Sequence, residues 1–476
     1  MSEKGITKKK HEDIVEWYEQ VCLKSELADF GEVKGTIVIR PKGYYIWQQI
    51  QEYINTQIQT NFHVDNCSFP MLIPNRFFVK EAEHAQGFAP ELAWLEYPNR
   101  EKDAEKIIIR PTSETIIVDS FKKWLRNYRQ LPIKVNQWCN ILRWEVKQTK
   151  LFLRSREFLW QEGHCIYQTN DDCQKDVVGI LDMYTSLCKD VLAIPVISGE
   201  KTPAERFPGA VKTYTIEGLM PDGKALQMGT SHNLGQGFMK GFGVEYMDDT
   251  EQKQYPFYNS WGVSTRLLGG VIMTHSDDKG LVLPPKLVKN KVVIIPIRKK
   301  NQTVDIDSYV QTVTKALSSF HPIIDDSQNH SVGFKMSEWE LKGTPAIIVI
   351  GGFDVEKSVV TLKMRDENEK KEIPLSDLQK SIDQELQLMH TRLYENAHSF
   401  LQSRIREAQS VTECTKLIEE GYIVKVPFCA DESVEKEVEQ KYGISTRCIA
   451  QILDLEVECI FSQKKTNTLV YFAKSY

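Results

Sequence analysis

Arg143-Trp144-Glu145 and, a short way on, Arg154-Ser155-Arg156-Glu157-Phe158-Leu159-Trp160-Gln161-Glu162-Gly163-His164 gather arginines, carboxylates, large aromatics and a histidine into one stretch. A planar guanidinium suits phosphate, and a buried arginine is tolerated only when it has a partner. A carboxylate set among arginines can accept from an exocyclic amine or hold a cationic one. Such a set could bind an anion and an amine side by side, or it could be a sheet with ordinary cross-strand ion pairs. A distant arginine favours the first reading. Trp261-Gly262-Val263-Ser264-Thr265-Arg266 runs into Leu267-Leu268-Gly269-Gly270-Val271-Ile272-Met273, which is apolar and too glycine-rich for a surface element. Arg266 then stands where a strand meets a buried helix, and its charge needs a ligand or partner there.

The elements that must position these groups can be read from apolar spacing. Asn140 to Leu142 and Phe158 to Trp160 read as two strands flanking a polar loop. Paired antiparallel, they would carry Arg143, Glu145, Arg154 and Glu162 on one platform. Ile46, Ile50 and Ile54 give a helical pattern between Gly43 and Phe62, followed by an expected strand at Cys67-Ser68-Phe69-Pro70. Further on, strands are expected at Lys291 to Ile297, Pro345 to Ile350, Val359 to Leu362 and Leu469 to Ala473. Helix is expected from Ser308 to Leu317, and one or two helices from Leu378 to about Ala408.

A chain of 476 residues should hold two or three domains, and 41% hydrophobic with 26% charged residues is ordinary for a soluble globular protein. No apolar run reaches membrane-spanning length and the charged start lacks a signal peptide core, so a cytoplasmic protein without membrane contact is expected. Ten cysteines without a CxxC pair fit a reducing compartment. A net charge of −5 gives no global pull toward nucleic acid. An RNA site would need a local basic patch, such as Lys122-Lys123 with Arg126 and Arg129, or Arg298-Lys299-Lys300. Such runs are otherwise solvated faces. Two motif matches fail. Lys335-Met336-Ser337 lacks the histidine pair that its class I counterpart requires, and Gly199-Glu200-Lys201-Thr202 lacks the upstream glycine of a phosphate loop.

The paired arginine contexts, preceded by the long helix, resemble motifs 1, 2 and 3 of class II aminoacyl-tRNA synthetases. Arg110-Pro111-Thr112-Ser113-Glu114-Thr115, Phe158 to His164, Gln227 to His232 and Gly333 to Pro345 together resemble the prolyl-tRNA synthetases, in the form typical of archaea and eukaryotic cytosol. The likeness runs from about residue 30 to Tyr476. It implies an α/β (α+β) fold: an antiparallel catalytic sheet with helices at 1–287, an α/β anticodon-binding domain at 288–398 and a small α/β C-terminal domain at 399–476. It also implies proline--tRNA ligase activity with ATP and Mg2+, tRNA(Pro) as partner, and a homodimer formed through motif 1.

By the same resemblance, Arg143 would contact the α-phosphate of ATP and the proline carboxylate that attacks it, and Arg266 the γ-phosphate. Arg154 and Ser155 would assist at the phosphates, Phe158 would stack on adenine, and Glu145 would meet the base. Gln227, Thr230 and Ser264 would contact the nucleotide. Thr112 and Glu114 would receive the proline amine, with Trp160, Glu162, His164, Thr230 and His232 walling its pocket. Arg143 and Arg266 could instead be structural, His164 and His232 hydrogen-bonded core histidines, and Trp160 plain core. Ninety-six residues separate His164 from Trp261. That leaves no room for the editing insertion of longer bacterial relatives, so alanine activation without hydrolysis of alanyl-tRNA is expected.

Two departures stand out. Relatives carry an arginine and a glutamate on the strand after Gly343-Thr344-Pro345, where this chain has Ile347 and Val349. Either Lys335, Glu338, Glu340, Lys342 and Asp354 read the anticodon instead, or they form a solvated face. In the C-terminal part Cys429 and Cys459 remain of four zinc-binding positions, while Val434 and Ser462 occupy the others. Cys448 and Asp431 are the nearest substitutes, and no structural zinc is expected. The competing reading, a synthetase-like RNA-binding or regulatory protein without catalysis, would be favoured by loss of Arg143, Arg266 or Glu114. All three are present.

Overall fold

The computed structural model describes residues 5–77, 91–96, 105–299 and 303–476. The fold is mixed α/β around a large, mainly antiparallel sheet. Its central strands are Ile133–Leu142, Glu157–Tyr167, Phe257–Ser264, Lys224–Gly235 and Lys212–Leu219, each antiparallel to the next. Ile197–Glu200 extends one edge and Asp65–Asn66 pairs in parallel at the other. Side chains alternate between faces along each strand, so Phe158, Trp160, Glu162 and His164 share one face. The opposite face packs on Asn170–Asp190, whose Cys173, Val177, Ile180, Leu181, Tyr184, Leu187 and Cys188 are buried.

Motif 1 forms the helix Pro41–Phe62, with Pro41 at its first turn and Ile46, Ile50, Ile54 and Ile58 buried along one stripe. Full burial of such a side chain is worth roughly 1.5–3 kcal/mol. The strand expected at Cys67 to Pro70 is shorter and earlier. Only Asp65 and Asn66 form ladder pairs. Past Cys67 the backbone bonds to side chains instead: Phe69 N–H donates to Gln137 Oε1 (3.1 Å) and its carbonyl accepts from Arg110 Nη1 (2.9 Å). Two glycines are set by close approach. A Cβ at Gly163 would lie 2.1 Å from Trp261 Cζ2, and one at Gly269 2.5 Å from Leu153 Cδ2. The glycine-rich run after Arg266 therefore lets the helix Arg266–His275 lie against the Leu151–Leu153 segment.

The following part is a five-stranded sheet in the order Ile323–Ile324, Val292–Pro296, Ala346–Ile350, Val359–Met364, Lys370–Pro374. Ile347 and Val349 lie beneath the helix Val332–Leu341 in a small apolar core with Val293 and Ile295. They are buried residues, not an RNA-facing pair. Three of the substitutes are also buried. Lys335 pairs with Asp325, Glu340 with Lys363, and Asp354 accepts from Gly351 N–H (2.7 Å) and Thr361 Oγ1 (2.8 Å). Lys342 pairs with Glu26 and Glu338. Lys342 and Glu338 remain partly exposed, so only these two of the five present themselves to solvent.

The amphipathic stretch is one helix, Leu378–Ser403, leading into strand Ile405–Glu407. The last strand, Lys465–Ser475, pairs with Ser445–Glu458 and Ile423–Pro427 and then runs in parallel beside Lys224 and Ala225. C-terminal and catalytic strands thus share a single sheet. Cys459 is buried in the C-terminal core and Cys429 Sγ lies 3.4 Å from Ser462 Oγ. Val434 packs into that core, and Asp431 caps the helix Glu432–Tyr442 while pairing with Lys464 (2.7 Å). Two thiols, a hydroxyl and an isopropyl group do not fit a tetrahedral zinc site.

Candidate active site

Two adjoining cavities, of about 360 and 280 Å3, open beside the central strands and share Arg143, Glu145, Phe158, Ser264 and Arg266. Thr112, Glu114, Trp160, Glu162, His164, Gln227, Thr230 and His232 border the first. Arg154 and Ser155 border the second. The residues assigned from the sequence to the nucleotide and proline sites therefore come together, from five separate segments of chain.

The first cavity ends in a buried carboxylate pair. Glu114 opens the helix Glu114–Trp124 and accepts a hydrogen bond from Thr112 Oγ1. Glu162 accepts from Gln137 Nε2 at 2.6 Å and meets His164 Nε2 at 3.0 Å, while the other ring nitrogen of His164 faces Tyr258 OH. Burial pushes the Glu114 carboxyl up, and Glu162 adds to this. Burial acts on Glu162 in the same sense, but hydrogen bonds from His164, Ser113 and Gln137 outweigh it and leave Glu162 below its usual value. The site thus sets its two carboxyls apart, Glu114 raised and Glu162 lowered from their usual range. Burial, with Lys201 and His164 nearby, lowers His232 to about 3, so it is a neutral wall. Its Nδ1 lies 3.0 Å from Thr213 Oγ1 and its ring 4.8 Å from that of Phe207.

The shared rim and second cavity are cationic. The Arg143 guanidinium lies 5.5 and 5.6 Å from the ring centres of Phe158 and Trp160, and its Nε donates to the Pro111 carbonyl (3.3 Å). Arg266, first residue of its helix, donates to the carbonyls of Leu153 (3.1 Å) and Gln227 (3.3 Å). Burial lowers Arg266 to about 10, and Arg143 and Arg154 push in the same direction. Three like charges converging on one space are stabilised by an anion between them. Glu145 Oε2 and Ser260 Oγ are buried without a protein partner, as groups awaiting a ligand would be.

Sequence reading missed Lys201, Glu205, Phe207, Pro208, Thr213 and Ser260, which also border the first cavity. Lys201 and Thr202 lie in the segment dismissed as a phosphate loop; it is a strand edge, Ile197–Glu200, and the turn after it. Tyr476 borders the second cavity, and its hydroxyl donates to Asp222 (2.8 Å). The basic patches lie elsewhere. Lys123 pairs with Asp119, Lys122 donates to the carbonyl of Phe242 at the end of the helix Gly237–Phe242, and Arg126 donates to the Lys122 carbonyl. Arg298 is held by Asp307 and Asp326. Lys300 lies outside the described residues.

Comparison with known proteins agrees with this geometry. Residues 94–275 match the tRNA synthetase class II core domain model (G, H, P, S and T), 291–385 the anticodon binding domain and 411–476 the prolyl-tRNA synthetase C-terminal model. A proline--tRNA ligase of Alkaliphilus oremlandii is 41% identical, the match covering 98% of this chain and 96% of that one. Proline--tRNA ligase 2 of Clostridioides difficile is 40% identical over 98% and 97%. A Cryptosporidium parvum prolyl-tRNA synthetase, complexed with halofuginone and AMPPNP, superposes with a TM-score of 0.94 at 37% identity, covering 100% of this chain and 98% of that one. A second structure of that enzyme, with L-proline and AMP, gives 0.94 at 36% and the same coverage. The chain belongs to the proline--tRNA ligase family of class II aminoacyl-tRNA synthetases.

Proposed function

We propose that this chain activates L-proline with ATP and transfers the prolyl group to the 3′ end of tRNA(Pro). The observation that carries the reading is the junction of a pocket bordered by Glu114, Glu162 and His164 with a rim formed by Arg143, Arg154 and Arg266. In the first step a proline carboxylate oxygen attacks the α-phosphorus, and the bond to pyrophosphate breaks. Arg143 lies where pocket and rim meet, so it can hold both the attacking carboxylate and the α-phosphate as charge builds on the phosphoryl oxygens. Arg266 and Arg154, with Ser155, hold the outgoing phosphates. Phe158 offers a face to adenine, Glu145 accepts from its amine edge, and Gln227, Thr230 and Ser264 contact the nucleotide.

Glu114, oriented by Thr112, receives the charged ring nitrogen of proline. Trp160, Glu162, His164 and His232 close around the ring. Magnesium travels with the nucleotide. Apart from Glu145, the side chains around the second cavity are cationic, hydroxylic or apolar, so phosphate oxygens and water would supply the ligands of such an ion. In the second step the terminal ribose hydroxyl attacks the prolyl carbonyl and AMP leaves.

The proposal includes a division at 1–287, 288–398 and 399–476, with the middle part binding the anticodon. It also includes a cytoplasmic homodimer built on the Pro41–Phe62 helix. No helix among the described residues is long and apolar enough to cross a membrane. Charging of a tRNA(Pro) transcript with labelled proline tests the reading. ATP-dependent acylation is expected, and none at micromolar enzyme would reject it in favour of an RNA-binding protein without catalysis.

A further inference from the structure

Glu217 and Arg447 form a buried ion pair that borders neither cavity. Arg447 Nε and Nη2 donate to Glu217 Oε2 at 3.2 and 2.8 Å, with side-chain exposures of 6% and 0%. Thr215 Oγ1 donates to the other carboxylate oxygen at 2.8 Å. The two residues are 230 apart in sequence. Glu217 lies on Lys212–Leu219 and faces Gln227 directly on the next strand. Gln227 is also the residue whose carbonyl accepts from Arg266 Nη1. Directly opposed residues share a face of the sheet, and Gln227 lines the first cavity, so the Glu217 carboxylate sits on the cavity side of the sheet, beside the strand position that tethers Arg266.

Arg447 is brought there by a close fit between two parts of the molecule. A Cβ at Gly199 would lie 2.7 Å from the Ile449 carbonyl, so the Ser445–Glu458 strand can approach only because that position has no side chain. Beside it, Thr202 Oγ1 donates to Glu435 Oε1 (2.7 Å), and Thr446 Oγ1 donates to the same atom. Arg447 therefore caps Glu217 from the C-terminal part of the chain.

A fully buried carboxylate requires a cationic partner. Arg447 is its ion partner, and the next guanidinium, that of Arg266, is tethered to the carbonyl of Gln227, the residue facing Glu217. While Arg447 satisfies Glu217, Arg266 is free to face the cavity. We infer that the Glu217–Arg447 pair is a positioning element for ATP: Arg447 neutralises Glu217 and so keeps Arg266 available to the outgoing phosphates. This rests on the functional reading above. Neither residue touches substrate. Both act through Arg266.

The test compares the full chain with Arg447→Met, Glu217→Gln and the double variant in proline-dependent pyrophosphate exchange, alongside thermal melts. In Arg447→Met the unpaired Glu217 should draw Arg266 away. The KM for ATP should rise about 10-fold or more while that for proline stays within about 2-fold. In the double variant the charge that misdirects Arg266 is gone, and a neutral pair of similar volume is tolerated in a core. Its ATP KM should return to within about 3-fold of the unmodified chain. A folded Arg447→Met protein with an unchanged ATP KM, or with both KM values raised alike, would overturn the inference. So would a double variant as impaired as the single one. If Arg447→Met does not fold, Arg447→Lys, which keeps the charge but loses the two-nitrogen contact, replaces it in the same comparison: a raised ATP KM with an unchanged proline KM, relieved by adding Glu217→Gln, is expected, and an unchanged ATP KM would overturn the inference. Absence of exchange in the unmodified chain would instead overturn the functional reading, and this inference with it.

Discussion

Glu162 and His164, two residues apart on one strand and facing the same way, meet at 3.0 Å between Oε2 and Nε2 inside the pocket. That contact, with the Gln137 bond, holds Glu162 below the usual carboxylate range, while burial raises Glu114. A charged proline nitrogen needs Glu114 as the anion.

The KM for proline should therefore rise as pH falls through the raised Glu114 value, with the ATP KM changing less. For stability the sign is opposite. Folding favours protonated Glu114, so its contribution is full below pH 4.5 and is lost as pH rises through the raised value. Glu114→Gln should flatten the acid limb and raise the proline KM at neutral pH by about 10-fold or more, the value of a charge-assisted hydrogen bond. A variant with an unchanged proline KM would remove Glu114 from the amine site.

His232 makes an independent pH prediction. It binds a proton near pH 6.5 when unfolded and only near 3 when folded. Between those values the unfolded state holds the extra proton, so stability should fall with pH by up to about 1.4 kcal/mol per unit from this group. Urea denaturation of His232→Asn from pH 7 to 4 should show a shallower decline. An identical slope would mean that His232 is not buried as a neutral ring.

Arg143→Ala and Arg266→Ala should each lower proline-dependent pyrophosphate exchange by about 100-fold or more. Both should keep near-normal melting temperatures, since each side chain borders a cavity and neither belongs to an apolar core. Near-normal exchange by either folded variant would contradict the phosphate assignment.

How far the sequence disclosed this site follows from physical range. Arg143 and Arg266 were legible because a charge beside an apolar or glycine-rich run has few ways to be satisfied. Glu162 and His164 were legible through strand alternation. Thr213 and Ser260 were not, since they reach the pocket only by strand pairing that no local pattern encodes, and Phe207 comes in from the irregular segment before the Lys212–Leu219 strand. Nor was the Glu217–Arg447 pair, whose members meet through a sheet shared across the chain. The strand expected at Cys67 to Pro70 failed for a related reason: its apolar character serves packing, while distant side chains take over its backbone hydrogen bonds.

The C-terminal core supplies a metal-free prediction. Cys429, Cys459, Val434 and Ser462 do not offer four ligands, and Asp431 is engaged by a helix end and Lys464. Purified protein should contain no stoichiometric zinc, and chelators should leave its melting temperature unchanged. About one zinc per chain, lost together with stability on chelation, would contradict this.

The central claim is proline activation at the joined cavities, and pyrophosphate exchange measured with each of the twenty amino acids tests it most directly. Proline should support rapid ATP-dependent exchange. Alanine should support weak exchange, because the missing ring methylenes are worth only about 1–3 kcal/mol each. Exchange driven as well by another amino acid as by proline, or absent with proline while the protein is folded and binds ATP, would contradict the account.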